Sequence, residues 1–148
     1  MRRKAVPAPP PDTLTARIET VAQTYYIAEG HTGRDVEDEA ILSVVGTIEC
    51  IGPGYQRFLG QPLEMALICA RSFDRRELTP TANKPLLLPL QLGKRQRSLM
   101  VYLPSDAFWG LSRMIPAGLV THVEASFSGL RYGTADLLSV HFTRKPQG

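Results

Sequence analysis

Long hydrophobic runs are missing from this 148-residue chain. No stretch approaches the roughly 18 consecutive apolar residues that a membrane-spanning helix requires. Cysteine is scarce, and neither Cys50 nor Cys69 has a second thiol or a histidine within three residues, so zinc and redox spacings are absent. Both lie in apolar runs, where a buried free thiol acts as a small hydrophobe. No serine stands in a Gly-x-Ser-x-Gly context, no dinucleotide fingerprint occurs, and Gly52-Pro53-Gly54 lacks the rest of a phosphate loop. These absences identify no catalytic residue and no cofactor. The start, Met1-Arg2-Arg3-Lys4, has no apolar stretch behind it, unlike a secretory signal. The expectation is a cytoplasmic protein with reduced thiols and no membrane partner.

What is present suits one globular domain: 43% apolar and 21% charged residues over a length that holds a single core. The formal charge of +3 comes from Arg2, Arg3 and Lys4. Residues 1–11 also hold four prolines and no acid, which predicts a disordered, basic, proline-rich tail ahead of a single β domain over 12–148. Within that domain, residues 12–70 carry a net −6 and residues 71–148 a net +6.

Residues 12–29 fit two patterns. Leu14, Ile18, Val21, Tyr25 and Ala28 follow helical spacing, yet Thr20, Thr24, Tyr25, Tyr26 and Ile27 favour a strand, which is the reading adopted. Residues 30–39, with two glycines and four acids, read as an exposed loop. Alternation then predicts strands over 41–51, 63–73, 86–92 and 97–103. The first of these places Leu42, Val44, Gly46, Ile48 and Cys50 on one face. The first two are apolar on both faces, as in central, doubly covered strands. Pro89 marks the third as an edge or bulged strand. A short helix capped at Ser105 or Asp106 runs to Ile115 and stops at Pro116 and Gly118. A hairpin joins 119–127 to 134–142, its core face formed by Val123, Ala125, Phe127, Leu138, Val140 and Phe142. The predicted fold is mostly β. It is a single antiparallel β-sandwich or small β-barrel of six to seven strands, with one short helix before the C-terminal hairpin.

Three constellations could carry a function. His122, Glu124 and His141 share the outer face of the last hairpin and are weak candidates for a metal or proton-transfer site. In the inferred register Ser139 faces His122 and His141 faces Val120. That face also alternates with the core face, as ordinary solvent-facing residues do. Asp35, Glu37, Asp38 and Glu39, beside His31, lack the spacing of a calcium loop and read as solvated. Arg71, Arg75 and Arg76, with Lys94, Arg95 and Arg97, are candidate ligand-binding clusters, to which Tyr55, Phe58 and Tyr102 could add stacking faces for nucleic acid. Charged hairpin tips also protect sheets from aggregation. Trp109 reads as an anchor of the short helix.

The Arg2-Arg3-Lys4 start and Gly60-Gln61-Pro62-Leu63-Glu64, ahead of a strand, resemble PilZ-type β-barrels. That resemblance implies cyclic-dinucleotide binding through a basic N-terminal motif and a later Asp-x-Ser-x-x-Gly stretch. The second motif is absent here, so the resemblance assigns no residue a role. The sequence therefore points to a non-catalytic binding or assembly domain, its partner a protein or a second copy of itself. A nucleic-acid- or nucleotide-binding barrel is the alternative.

Overall fold

A computed structural model of the chain describes residues 10–29, 36–70 and 86–145. The expected tail over 1–11 therefore falls almost wholly outside the described residues. Seven strands close into a barrel: β1 (Asp12–Glu29), β2 (Val36–Ile51), β3 (Pro62–Ala70), β4 (Leu90–Leu92), β5 (Arg97–Tyr102), β6 (His122–Arg131) and β7 (Thr134–Thr143). Their order around the barrel is β1-β2-β3-β5-β4-β7-β6, so the barrel form is realised rather than the sandwich. Neighbours are antiparallel except β3 and β5, which pair in parallel through the long connection between them. One helix, α1 (Ser105–Met114), precedes the C-terminal hairpin.

Alternation builds the core. Leu14 and Ala16 from β1, Leu42, Val44 and Ile48 from β2, and Leu63, Met65 and Leu67 from β3 all point inward and are buried. They meet Leu99, Val101, Val123, Ala125 and Phe127, while Phe108, Leu111 and Ile115 of the helical segment join the same core. Burying each large side chain contributes about 1.5–3 kcal/mol, which drives closure. Trp109 stacks edge-on against Phe108 at 5.0 Å but stays 39% exposed. The outer faces of the two central strands are unevenly covered: Ile68 and Ala70 are buried, whereas Ile41, Val45 and Ala66 are half-buried.

Bulges account for the departures from simple alternation. β1 is a strand throughout, and its register against β2 slips between Ile18 and Thr20. The slip moves the inward set from even to odd numbers, which is how Leu14, Ile18, Val21 and Tyr25 acquire helix-like spacing. β2 begins at Val36, so the acidic stretch expected as loop is partly strand: Asp38 and Glu39 pair with Ile27 and Tyr26. The β-prone run of β1 supplies the template. A second slip, between Thr15 and Ala16, makes Glu49 the extra residue of β2. Cys50 therefore turns outward and is exposed, against the expectation of burial, while Cys69 is buried.

β4 keeps only three residues, because Pro89 removes a ladder donor and leaves a single bridge between Leu87 and Val101 ahead of it. Pro104 occupies the N-cap position of α1 rather than Ser105 or Asp106, and Gly118 (φ 73°) follows its end. The C-terminal hairpin turns tightly on Tyr132 (φ 52°) and Gly133 (φ 78°), the two positive φ values of a type I′ turn. Slips at Ser126/Phe127 and Ser128/Arg131 then reset its register. Leu138 is displaced outward to 48% exposure, and Leu137 takes its expected place in the core.

Candidate functional site

β1 is paired on both sides only over its first third. Arg17 opposite His122 is its last partner pair with β6, and the Ile18 N–H donates to the Thr121 carbonyl at 2.8 Å. The bulge at Glu19 then turns the strand away. From Glu19 to Glu29, β1 pairs with β2 alone, and among the described residues no strand lies along its other side. Its residues 20–28 read Thr-Val-Ala-Gln-Thr-Tyr-Tyr-Ile-Ala, without a charge, a proline or a glycine. Tyr25, Tyr26 and Ile27 are 54%, 52% and 60% exposed. Natural sheets usually blunt such an edge with lysine, proline or a bulge. Here the bulge sits at the root and the rest of the edge runs straight.

A cleft of about 870 Å³ opens where β1 leaves β6. Ile18, Val21, Ile115 and Val120 give it apolar walls, while Arg17, Glu49, His122 and Lys145 line its polar side. The bulge at Glu49 aims that carboxylate across the outer face. One oxygen lies 3.1 Å from His122 Nε2 and the other 3.2 Å from Arg17 Nη1. With Glu49 accepting from Nε2–H, Nδ1 is left to accept the Thr121 hydroxyl proton at 2.7 Å. The Thr121 oxygen in turn accepts the Lys145 N–H at 3.1 Å. This hydroxyl–imidazole–carboxylate chain ties the end of the chain and the start of β6 to β2. Arg17 also donates to Glu19 through Nε and Nη2, at 3.0 and 2.7 Å, and Thr47 donates to the same oxygen at 3.1 Å. Those hydrogen bonds hold the Glu19 carboxyl below the ordinary carboxylate range and raise Arg17 further.

Two of the three candidate metal ligands are drawn to different partners. His122 turns to Glu49, and Glu124 pairs with Lys145 at 3.1 Å. The expected register needs correcting: His141 faces Glu124, Ser139 faces Ser126, and His122 faces Thr143. The bulges and the two-residue turn produce that shift. Ser126 and Ser139 join through their hydroxyls, and with Glu124 and His141 they line a smaller hollow of about 280 Å³. Among the described residues, no group of three or more His, Cys, Asp or Glu side chains is placed to hold a metal ion.

The basic clusters divide as well. Arg71, Arg75 and Arg76 lie outside the described residues, as do His31 and Asp35, and nothing is described of the Glu37 side chain. Lys94 and Arg95 are exposed at the turn between β4 and β5. Arg97 is buried at 7% exposure, its guanidinium donating to the carbonyls of Pro62 (2.9 Å), Gly93 (3.3 Å) and Lys94 (3.0 Å). Phe58 is a core residue beneath the Arg57 guanidinium, and Tyr55 packs edge-on against Phe127 at 5.6 Å. Burial pushes the Tyr55 phenol above its ordinary range, and its hydrogen bond to Asp12 adds to the effect. Tyr102 is half-buried.

Sequence reasoning missed Arg17, Glu49, Thr121 and Lys145, because only the bulges and the closure of the barrel bring them beside His122. The edge did leave a signal, the uncharged run from Thr20 to Ala28. No protein-family model matches the chain, the PilZ type included, and no curated protein or solved structure matches it.

Proposed function

We propose that this domain is a non-catalytic binding and assembly module that takes up a polypeptide strand along the open edge of β1. The observation that carries the reading is that, among the described residues, Thr20–Glu29 pairs with β2 alone, and its stretch Thr20–Ala28 is uncharged and strand-prone. In an antiparallel pair, alternate residues direct both N–H and C=O to the same side. About half the backbone groups of this segment therefore face away from β2, spaced to bind an extended chain. Strand addition draws affinity from those groups and specificity from the flanking side chains, here Tyr25, Tyr26 and Ile27. The free thiols Cys50 and Cys69 suit a reducing compartment such as the cytoplasm. A nucleic-acid role would draw on Lys94 and Arg95 alone within the second cluster, since Arg97 is committed to backbone carbonyls.

Hydrogen exchange on dilute protein tests the reading. Alternate amides between Glu19 and Glu29 should exchange much faster than those at the centre of β3. A blocked peptide of alternating threonine and valine should protect them, and Tyr26→Lys should abolish that protection. Uniform protection of the segment in the isolated, dilute chain would show the edge already covered and remove the proposal.

A further inference from the structure

The edge that the proposed function uses has a property that bears on who its partner is. Among the described strands, its one-sided length runs from the last contact with β6 at Ile18 to the strand end at Glu29. The stretch between, Glu19 to Glu29, has Thr24 at its midpoint. A second copy running antiparallel about a two-fold axis at Thr24 would cover the edge from end to end.

We propose that the natural partner of this edge is a second copy of the same chain, with the β1 strands paired antiparallel about Thr24. The inference rests on the strand-addition reading and adds the identity and register of the partner. Residues whose numbers add to twice 24 would face each other. On one face Val21 meets Ile27 and Gln23 meets Tyr25; on the other Thr20 meets Ala28 and Ala22 meets Tyr26. The two branched residues Val21 and Ile27 meet, and each tyrosine meets a smaller side chain, Ala22 or Gln23, with no like charges opposed among these pairs. No charge lies inside the ladder. Glu19 meets Glu29 only at its two ends, where Arg17 already neutralises Glu19 through two N–H donors. A two-fold axis at a residue suits either pair type of an antiparallel ladder. The same patch serves both copies, as in the commonest homodimers. Eleven residues paired this way supply about ten main-chain hydrogen bonds, the number a typical stable interface carries. The proline-rich start of the chain is a poor competitor, because its four prolines bring no N–H donors.

The axis makes the test specific, since residue 24 would face its own copy. Thr24 is exposed, so a charge there leaves the monomer fold intact. Sedimentation equilibrium of the full chain should show a dimer. Thr24→Lys and Thr24→Glu should each weaken it about fivefold or more by placing like charges directly opposite. An equimolar mixture of the two variants should restore association to at least the original level. A wild-type chain that stays monomeric at its highest soluble concentration overturns the inference; so does a dimer indifferent to both variants, or a mixture that fails to recover. If the alternating peptide still protects Glu19–Glu29 while the chain stays monomeric, self-pairing falls and strand addition stands. If neither occurs, both fall.

Discussion

Arg97 shows how little residue type alone reveals about role. In the sequence it belongs to a basic cluster with Lys94 and Arg95, yet its guanidinium is buried and spent on three carbonyls that bind the β4–β5 turn to the start of β3. Replacing it by alanine would strip those carbonyls of a charged donor. The variant should lose about 2–3 kcal/mol of stability, read as a lower urea midpoint. Arg97→Lys should recover little of it, because an ammonium cannot span the three acceptors. Glu19 makes a different prediction at the same scale. Its folded carboxyl sits below the ordinary range, chiefly through Arg17 and then Thr47. The stabilisation it contributes is therefore present above the ordinary carboxylate pKa and is lost as pH falls through the lowered folded value. In paired unfolding curves, the difference between wild type and Glu19→Gln should shrink towards zero across that acid range. A difference that persists or grows at acid pH would contradict the assignment.

Two bulges decide how the elements β1 and β2 behave. The one at Glu19 frees the edge, and the one at Glu49 delivers a carboxylate to His122 and Arg17. Gly46 is what lets the strands approach closely between them. A Cβ there would lie 2.8 Å from the Arg17 carbonyl oxygen, with Met65 Cε at 3.2 Å and the Ala16 Cβ at 3.3 Å. The nearest obstacle is backbone that is paired with strands on both sides, so it cannot swing aside. Gly46→Ala should cost about 1–3 kcal/mol by overpacking, measured as a lower urea midpoint, and Gly46→Val should cost more. A neutral result would mean that β1 can shift at its bulge. Residues 12–29 form one long strand because Thr20–Ala28 is rich in β-branched and aromatic residues. Its competing helical spacing came from the bulge, which periodicity cannot distinguish from a change of secondary structure.

For the whole molecule, closure of the barrel creates both candidate sites. A closed barrel removes sheet edges, and among the described residues β6 pairs only with the first third of β1. Just beyond it, Glu19, Thr20 and Val21 line the cleft that β6 leaves behind. Charge had a minor part in this arrangement. The surface ion pairs at the cleft are exposed, and pairs of that kind contribute little to stability. Their use is to orient Arg17 and to hold Lys145 against β6.

The amino-acid sequence by itself determined the β class, the helix before the last hairpin, its end ahead of Pro116 and Gly118, and most of the core. Each follows from local periodicity, turn chemistry and apolar alternation, which need no knowledge of distant residues. The tertiary structure alone decided barrel over sandwich, the parallel pairing of β3 with β5, the burial of Arg97 and the meeting of Glu49 with His122. It also decided that, among the described residues, no strand pairs along the β6 side of β1 beyond Arg17. These depend on which strands meet and where one extra residue is inserted. A bulge changes the facing of everything beyond it while leaving composition and propensity untouched.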